Sequence, residues 1–356
     1  MSESAEMPVP SAAVDTPLVS AVIPTRNRPA LLMQAVGSVL RQSWPNLEVI
    51  VVVDGCDPET SGHLRAIDDP RVRIIDLPVP AGGSEARNIG VRAARGVWIA
   101  FLDDDDEWLP AKLSRQMHRA LYLQEDYPVL SSRFIASSPR VSFPVPRVLY
   151  RENQAVGDYL YSRDGLTGGG GILQTSTLLM PRELLLAVPF RAGLRMHQDW
   201  DWVLRAAARK GVRIHMLSEP LALCRIEDGR DSVGRTPDWR FSLQWAREVR
   251  QYLSPRAFSW FIAIQCVWRA AQSGATLREK LLLLRAFLLE GRPTWNAALH
   301  FLIFAWVPVT LRQSLRDRIR TSSRGAAGQS SRGMIRARRS SGRMQNRASL
   351  QESSLR

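Results

Sequence analysis

Four apolar, β-branched segments alternate with helix-like segments between residues 19 and 103, and this alternation constrains the fold more than any other feature. The apolar segments are VSAVIPT, LEVIVVVD, VRIIDLP and VWIAFLD. A helix-like segment at 29–41 follows the first apolar segment, and another at 84–95 precedes the last apolar segment. Continuous apolar strands that alternate with helices form parallel sheets covered on both faces. We therefore predict an α/β fold.

Polar side chains follow three of these strands at the point where each strand ends. They are Thr25, Arg26 and Asn27 after the first, Asp54 and Asp57 after the second, and Asp103 to Asp106 after the fourth. In open α/β sheets, ligands bind outside the carboxyl ends of the strands. We therefore expect a binding site at this edge.

The run of four aspartates predicts a site for a hard divalent cation. In an extended backbone, Asp103 and Asp105 would point to one side, and Asp104 and Asp106 to the other. Carboxylate oxygens suit Mg²⁺ or Mn²⁺, particularly where phosphate oxygens complete the coordination shell. The alternative is a solvated acidic turn ahead of the helix that begins near Pro110.

The pattern is looser from about 128 to 226. PVLSSRFIAS, ILQTSTLLMP, VRIHML and LALCRI are predicted strands, and HQDWDWVLRAAARKG is a predicted helix. On that helix Asp199 shares a face with Trp202 and Val203, so it should point inward, whereas Asp201 should be turned away. A lone His197 at a loop–helix junction is expected to be structural.

Composition separates the C-terminal part from the rest. Helices are predicted at 238–252, 255–273, 276–289 and 294–306, the last as a buried or interface-lying helix rather than a membrane span. Twelve arginines and two acidic residues lie from Leu311 to Arg356, so this segment provides +10 of the net charge of +14. The tail is predicted to be disordered.

The three cysteines show no CxxC spacing, which excludes a readable zinc site or disulfide framework. This cysteine pattern favours a reducing compartment.

The ordered segments VSAVIPTRNRP, LEVIVVVDGCDPET, GGSEARNIGVRAARGVWIAFLDDDDEWLPAKL and MHQDWDWVLRAAARKG resemble a family 2 glycosyltransferase with the GT-A fold. The resemblance covers residues 19 to about 226. It implies a mixed GT-A sheet over 18–230, after a lead-in at 1–17. A helical C-terminal extension at 238–311 and a basic tail at 312–356 lie outside it.

The resemblance also implies roles for particular residues. Asp103, Asp104 and Asp105 match the DxD motif, with Asp105 as ligand of Mn²⁺ or Mg²⁺ and Asp103 near the nucleotide. The other implied nucleotide-sugar-binding residues are Thr25, Arg26, Asp54, Arg87 and Asn88. Asp199 matches the general base. Two positions depart from the family pattern, since Val53 and Gln198 replace acidic residues.

The implied function is inverting transfer of a sugar from a nucleotide-diphosphate sugar to an acceptor hydroxyl in surface polysaccharide or glycolipid synthesis. The glycine loop Gly168–Gly171 and the segment Gln174–Ser176 are expected to border sugar and acceptor. A polysaccharide or lipid-linked acceptor and a cytoplasmic location are expected, and a peripheral membrane contact through the C-terminal region stays open. Nucleic acid is not an expected partner, because no recognition module accompanies the basic tail.

Two alternatives remain at this point. A sugar nucleotidyltransferase would need a glycine-rich basic loop after the first strand, whereas IPTRNRP has no glycine. A non-catalytic sugar-nucleotide-binding relative would not need Asp103, Asp105 and Asp199, which are all present.

Overall fold

A nine-stranded mixed sheet organises the protein, as seen in a computed structural model that describes residues 16–139, 141–165, 170–226 and 236–307. The strands are β1 (Val19–Thr25), β2 (Leu47–Val53), β3 (Val72–Asp76), β4 (Trp98–Phe101), β5 (Asp106–Trp108), β6 (Tyr127–Ser137), β7 (Ser142–Val145), β8 (Leu179–Pro181) and β9 (Val212–Arg225). Their order is β3-β2-β1-β4-β8-β6-β9-β5, and β7 pairs with β6.

The predicted parallel half of the sheet is confirmed. Strands β3, β2, β1 and β4 are mutually parallel, and every residue of β2 is buried. Strand β8 joins β4 in the antiparallel direction, which makes the whole sheet mixed. The carboxyl ends of β1, β2 and β4 therefore meet at one edge.

Two strand predictions are wrong in detail. The segment ILQTSTLLMP contains a 3₁₀ turn at Thr175–Thr177, and only Leu179–Pro181 is a strand. VRIHML and LALCRI form one strand, β9, because the chain stays paired with β6 through two register shifts instead of turning. This part of the sheet therefore contains one strand that is shorter than its sequence indicates, β8, and one that is longer, β9.

Twelve α-helices are described. Those of the first 226 residues are α1 (Pro29–Leu40), α2 (Pro58–Arg65), α3 (Gly83–Ala93), α4 (Lys112–Leu121), α5 (Val156–Tyr161), α6 (Arg182–Ala187) and α7 (Gln198–Ala207). The later ones are α8 (Trp239–Glu248), α9 (Pro255–Phe261), α10 (Val267–Gln272), α11 (Leu277–Leu289) and α12 (Trp295–Trp306).

The C-terminal helices follow the sequence prediction closely and begin at identifiable caps. The side chains of Asp238 and Ser254 accept backbone N–H bonds at the starts of α8 and α9, and Thr276 forms a capping box with Glu279 at α11. The predicted helix at 255–273 differs, because a π-helical turn at Ile262–Cys266 joins α9 to α10. The described helices are all too short or too polar to cross a bilayer.

Close packing of α3 on the sheet gives a stability prediction at Gly90. A Cβ atom there would lie 2.4 Å from Val22 Cγ1, in the buried contact between α3 and β1. Gly90→Ala should lower the free energy of unfolding by about 1–3 kcal/mol, because a buried β-branched side chain has no room to yield. Urea unfolding followed by circular dichroism measures the change.

Gly62 on α2 is the matched control. A Cβ atom there meets no heavy atom within 4 Å. Gly62→Ala should raise the free energy of unfolding by up to about 1 kcal/mol through helix propensity. If Gly90→Ala were as stable as Gly62→Ala, the proposed close packing would be incorrect.

Candidate active site

The carboxyl ends of β1, β2 and β4 border a cavity of about 720 Å³. It brings together most of the residues that the sequence predicts to bind nucleotide sugar and metal. Those on its wall are Thr25, Arg26, Asp54, Arg87, Asp103, Asp104 and Asp105. Gly82, Gly83 and Ser84 add the N-terminal end of α3. The backbone N–H groups of a first helical turn favour an anion such as a phosphate.

Asn88 does not line this cavity. Its amide nitrogen donates to the Phe190 carbonyl oxygen at 2.9 Å, and its Oδ1 accepts from the Phe190 N–H at 2.9 Å. The residue is buried on α3 and fixes the segment that leads toward α7. The structure therefore places Asn88 behind the cavity wall.

Asp54 both lines the cavity and shapes it. Its Oδ1 accepts from the Ala81 N–H at 2.6 Å, and its Oδ2 accepts from the Gly82 N–H at 3.0 Å. Gly82 has a φ of 85°, a conformation that glycine adopts without strain. Asp54 thus holds the loop that presents the start of α3 to the cavity.

Arg87 connects the acidic run to helix α7. Its Nη2 donates to Asp103 Oδ1 at 2.6 Å, and its Nη1 donates to Gln198 Oε1 at 2.8 Å. Burial acts to lower the pKa of this guanidinium, but the charges of Asp103 and Asp199 outweigh burial and raise it. A permanently charged Arg87 therefore neutralises carboxylates on both sides of the site.

The four aspartates form a turn and do not continue the strand, so the expected alternation of side chains is wrong. The Asp106 N–H donates to the Asp103 carbonyl oxygen at 3.1 Å, which closes a β-turn through Asp104 and Asp105. Carboxylate oxygens of Asp103, Asp105 and Asp106 consequently lie within 4.8 Å of one another. This turn, residues 103–106, is called the acidic turn below.

Asp104 is not part of this cluster of carboxylate oxygens and contacts the end of β1. Its Oδ2 accepts from Thr25 Oγ1 at 2.8 Å, and Arg28 Nη1 lies 3.3 Å from its Oδ1. Burial and the charge of Asp105 raise the pKa of Asp104 to about 6, against the opposing effects of Thr25 and Arg28. Asp104 therefore attaches the acidic turn to the end of β1.

Asp106 is buried beneath the acidic turn, with contacts that its sequence position does not indicate. Its Oδ2 accepts from Ser176 Oγ at 2.7 Å and from Gln174 Nε2 at 2.8 Å. Burial raises the pKa of Asp106 well above its usual range, and the charges of Asp103 and Asp105 add to this. Gln174 also accepts from Cys224 Sγ at 2.7 Å. The segment 174–176 thus supports the acidic turn from below.

A second cavity of about 500 Å³ lies next to the first. Asp103, Arg195 and Gln198 line both cavities, and Asp199 lines the second. The two cavities therefore meet between the acidic turn and the start of α7.

Asp199 lies in the first turn of α7 and borders the second cavity. Burial raises the pKa of its carboxyl group, the charge of Arg87 opposes the shift, and the charge of Asp103 adds to it. A raised pKa increases the proton affinity of the carboxylate, which is what abstraction of a hydroxyl proton requires.

His197 has a structural environment, as its sequence context predicts. It ends the preceding loop with a φ of 64°, its ring stacks on Trp200, and its Nε2 is 2.9 Å from Ser242 Oγ. Burial, assisted by the charge of Arg269, lowers its pKa to about 3. His197 is therefore neutral and positions the start of α7.

The prediction that Asp201 is turned away from the interior is wrong. Asp201 is fully buried, with Arg191 Nη2 and Arg205 Nε each 2.8 Å from its carboxylate and Trp245 Nε1 at 3.1 Å. Helix α8 covers the face of α7 that the sequence pattern leaves polar. Both faces of α7 are consequently fixed, which holds Asp199 in place.

Comparisons with known proteins agree with this geometry. The model of the family described as Glycosyl transferase family 2 matches residues 20–179. The Erwinia amylovora amylovoran biosynthesis glycosyltransferase AmsB is 25% identical over 285 residues, which cover 78% of this chain and 92% of AmsB. The Escherichia coli K12 protein WcaA, named for glycosyl transfer in colanic acid biosynthesis, is 31% identical over 226 residues, 63% of this chain and 77% of WcaA.

A solved structure supports the fold. The mannosyltransferase PcManGT of Pyrobaculum calidifontis, in complex with GDP-Man and Mn²⁺, aligns with a TM-score of 0.51 and 19% identity over 83% of this chain and 87% of that one. The expected GT-A fold is confirmed. Together with the match to WcaA, the family model establishes that this chain belongs to glycosyl transferase family 2.

Proposed function

We propose that this glycosyltransferase moves a sugar from a nucleoside diphosphate sugar to an acceptor hydroxyl, with inversion at the anomeric carbon. The observation that carries the proposal is the pair of adjoining cavities, with the acidic turn in the first and Asp199 in the second. The named roles of AmsB and WcaA favour surface polysaccharide as the product, and the GDP-Man complex of PcManGT supports a nucleotide-sugar donor. Family membership favours glycosyl over nucleotidyl transfer.

The first cavity binds the donor in this proposal. The start of α3, which Asp54 holds in position through the preceding loop, offers backbone N–H groups to the diphosphate, while Thr25 and Arg26 border the nucleoside. Arg87 adds a buried positive charge beside the same phosphates. The sugar would then extend past Asp103 toward the second cavity.

The acidic turn fits a divalent cation, because it gathers carboxylate oxygens from three aspartates within 4.8 Å. Asp103 and Asp105 would hold the ion, because both line the first cavity, whereas Asp106 is buried beneath the acidic turn. When bound, Mn²⁺ or Mg²⁺ neutralises negative charge that develops on a leaving diphosphate.

Asp199 acts on the acceptor in the second cavity. Its carboxylate takes the proton of the acceptor hydroxyl as that oxygen attacks the anomeric carbon from the side opposite the diphosphate. The charge of Arg87 favours the ionised form of Asp199, and its bond to Gln198 holds the start of α7. One displacement of this kind inverts the anomeric configuration.

A membrane contact stays a prediction from the sequence. Leu277, Leu281 and Leu289 on α11 are exposed, which suits a lipid-linked acceptor at a membrane surface. The tail at 312–356, which would accompany that contact, lies outside the described residues. So do Gly168 and Gly169 of the glycine loop.

Asp199→Asn tests the proposed base. The substitution keeps the shape of the side chain and removes its basicity, so kcat should fall about 10²- to 10⁴-fold while the affinity for nucleotide sugar is unchanged. In the wild type, kcat should also fall as the pH drops through the raised pKa of Asp199, because only the ionised carboxylate accepts a proton. Release of nucleoside diphosphate from a panel of nucleotide sugars, with acceptor present, gives the rates.

Asp68→Asn is the control, because it makes the same chemical change at an exposed position. Its turnover should equal that of the wild type. Wild-type turnover in Asp199→Asn would refute the assignment of the base.

Metal removal tests the acidic turn. Excess EDTA should abolish transfer, and added Mn²⁺ or Mg²⁺ should restore it. Without the ion, the negative charge on the leaving diphosphate is not compensated. Asp105→Asn should raise the ion concentration needed for half-maximal rate, whereas Asp68→Asn should not. Full activity in excess EDTA would overturn the metal proposal.

A further inference from the structure

Helix α11 is apolar on its exposed side as well as on its buried side. Its buried side chains are Leu283, Ala286 and Phe287. Five further leucines of the same helix are 49% to 73% exposed, and these are Leu277, Leu281, Leu282, Leu288 and Leu289. A surface helix of a globular protein normally directs polar side chains outward. An exposed apolar patch of this kind indicates a contact surface.

The exposed leucines of α11 alternate with positive charge around the helix. Leu277, Leu281 and Leu288 recur at intervals that place them along one line of the helix. Arg278 and Arg285 are exposed and lie two turns apart beside that line. The other two exposed leucines lie beyond the arginines. The outward face of α11, defined by these seven residues, therefore combines leucine with arginine.

The acidic residues of this region are engaged by another helix of the protein. Glu279 and Glu290 are the only acidic residues in the sequence between residues 255 and 307. Glu279 forms an ion pair with Arg240, and Glu290 Oε2 accepts from Arg247 Nε at 2.8 Å. Both of these arginines belong to α8. The outward face of α11 consequently carries a net positive charge.

A face of this composition suits the surface of an anionic bilayer. Interfacial helices bury leucines at the boundary between headgroups and acyl chains, and their basic side chains attract anionic headgroups. Charge disfavours two other occupants. A second copy of the outward face would bring its own arginines against those of the first. The tail from Leu311 to Arg356 is basic too, with twelve arginines and two acidic residues.

We propose that the outward face of α11 docks on a membrane surface that contains anionic lipid. Its leucines enter the boundary between headgroups and acyl chains, and Arg278 and Arg285 contact lipid phosphates. The buried side of α11 packs against the π-helical turn, whose Gln265 lines the second cavity. Docking therefore brings the membrane to the layer of helices that borders the candidate acceptor site. The docking face itself does not depend on the proposed reaction.

A fluorescent probe on the outward face tests the contact in the full chain. Leu281→Cys carries a nitrobenzoxadiazole group in a Cys56→Ser background, because Cys56 is exposed and the other two cysteines are buried. Vesicles of phosphatidylcholine with about one third phosphatidylglycerol should shift the emission to the blue by about 10 nm or more, as the probe leaves water. Vesicles of phosphatidylcholine alone should give a smaller shift.

Leu186→Cys with the same probe is the control, because Leu186 on α6 is 47% exposed and Leu281 is 50% exposed. Its emission should not respond to vesicles. A shift at residue 281 that needs no vesicles and grows with protein concentration would assign the face to a second copy. An unchanged probe at residue 281 on vesicle-bound protein would assign the binding to another segment. Either result would overturn the proposal.

Two double variants give a test that needs no label. In about 0.5 M salt, which screens the charge of the tail, Leu281→Gln with Leu288→Gln should lower vesicle partition about 10- to 100-fold. At low salt, Arg278→Gln with Arg285→Gln should lower partition into the anionic vesicles about tenfold and leave binding to phosphatidylcholine unchanged. Flotation of vesicles with bound protein measures both.

Leu186→Gln and Arg95→Gln make the same chemical changes at exposed positions elsewhere and should bind vesicles as the wild type does. Equal partition of the double variants and these controls would contradict the docking face. Turnover with a soluble acceptor should stay at the wild-type rate, because none of the substituted residues lines either cavity. Vesicle binding is measured without substrate, so its failure leaves the proposed function intact.

Discussion

The ion pair between Arg87 and Asp103 is the interaction on which the site depends most. It lies between the acidic turn and α7, and the second bond of Arg87, to Gln198, makes one guanidinium hold both elements. The family pattern has an acidic residue where this chain has Gln198. A neutral amide there avoids placing another negative charge among Asp103, Asp199 and the acidic turn, while it still accepts a bond from Arg87.

Contacts from distant parts of the chain support the two bonds of Arg87. Asp104 attaches the acidic turn to β1, and Ser176 supports Asp106 from below. Asp201 locks the other face of α7 against α8. The C-terminal helices thus help to fix the candidate base and contribute to the wall of the second cavity.

Local pattern was enough to predict the parallel strands, the polar residues at their ends and the position of Asp199 on α7. It was not enough where the chain turns or where distant segments meet. The acidic turn folds Asp106 back under Asp103, so the side chains of this segment do not alternate as they would along an extended strand. Asp201 looks solvent-facing on its own helix and is buried because α8, some forty residues later, covers it. Arg269 carries no motif, and only the tertiary fold brings it near Asp199.

The stereochemistry of transfer tests the central claim most directly. A base in the second cavity and a diphosphate in the first imply a single displacement, with no covalent sugar–enzyme intermediate. Proton NMR of the freshly formed product, with a donor of known anomeric configuration, gives the configuration of the new bond. The account predicts inversion, so that an α-linked donor yields a β-linked product, and retention of configuration would contradict it.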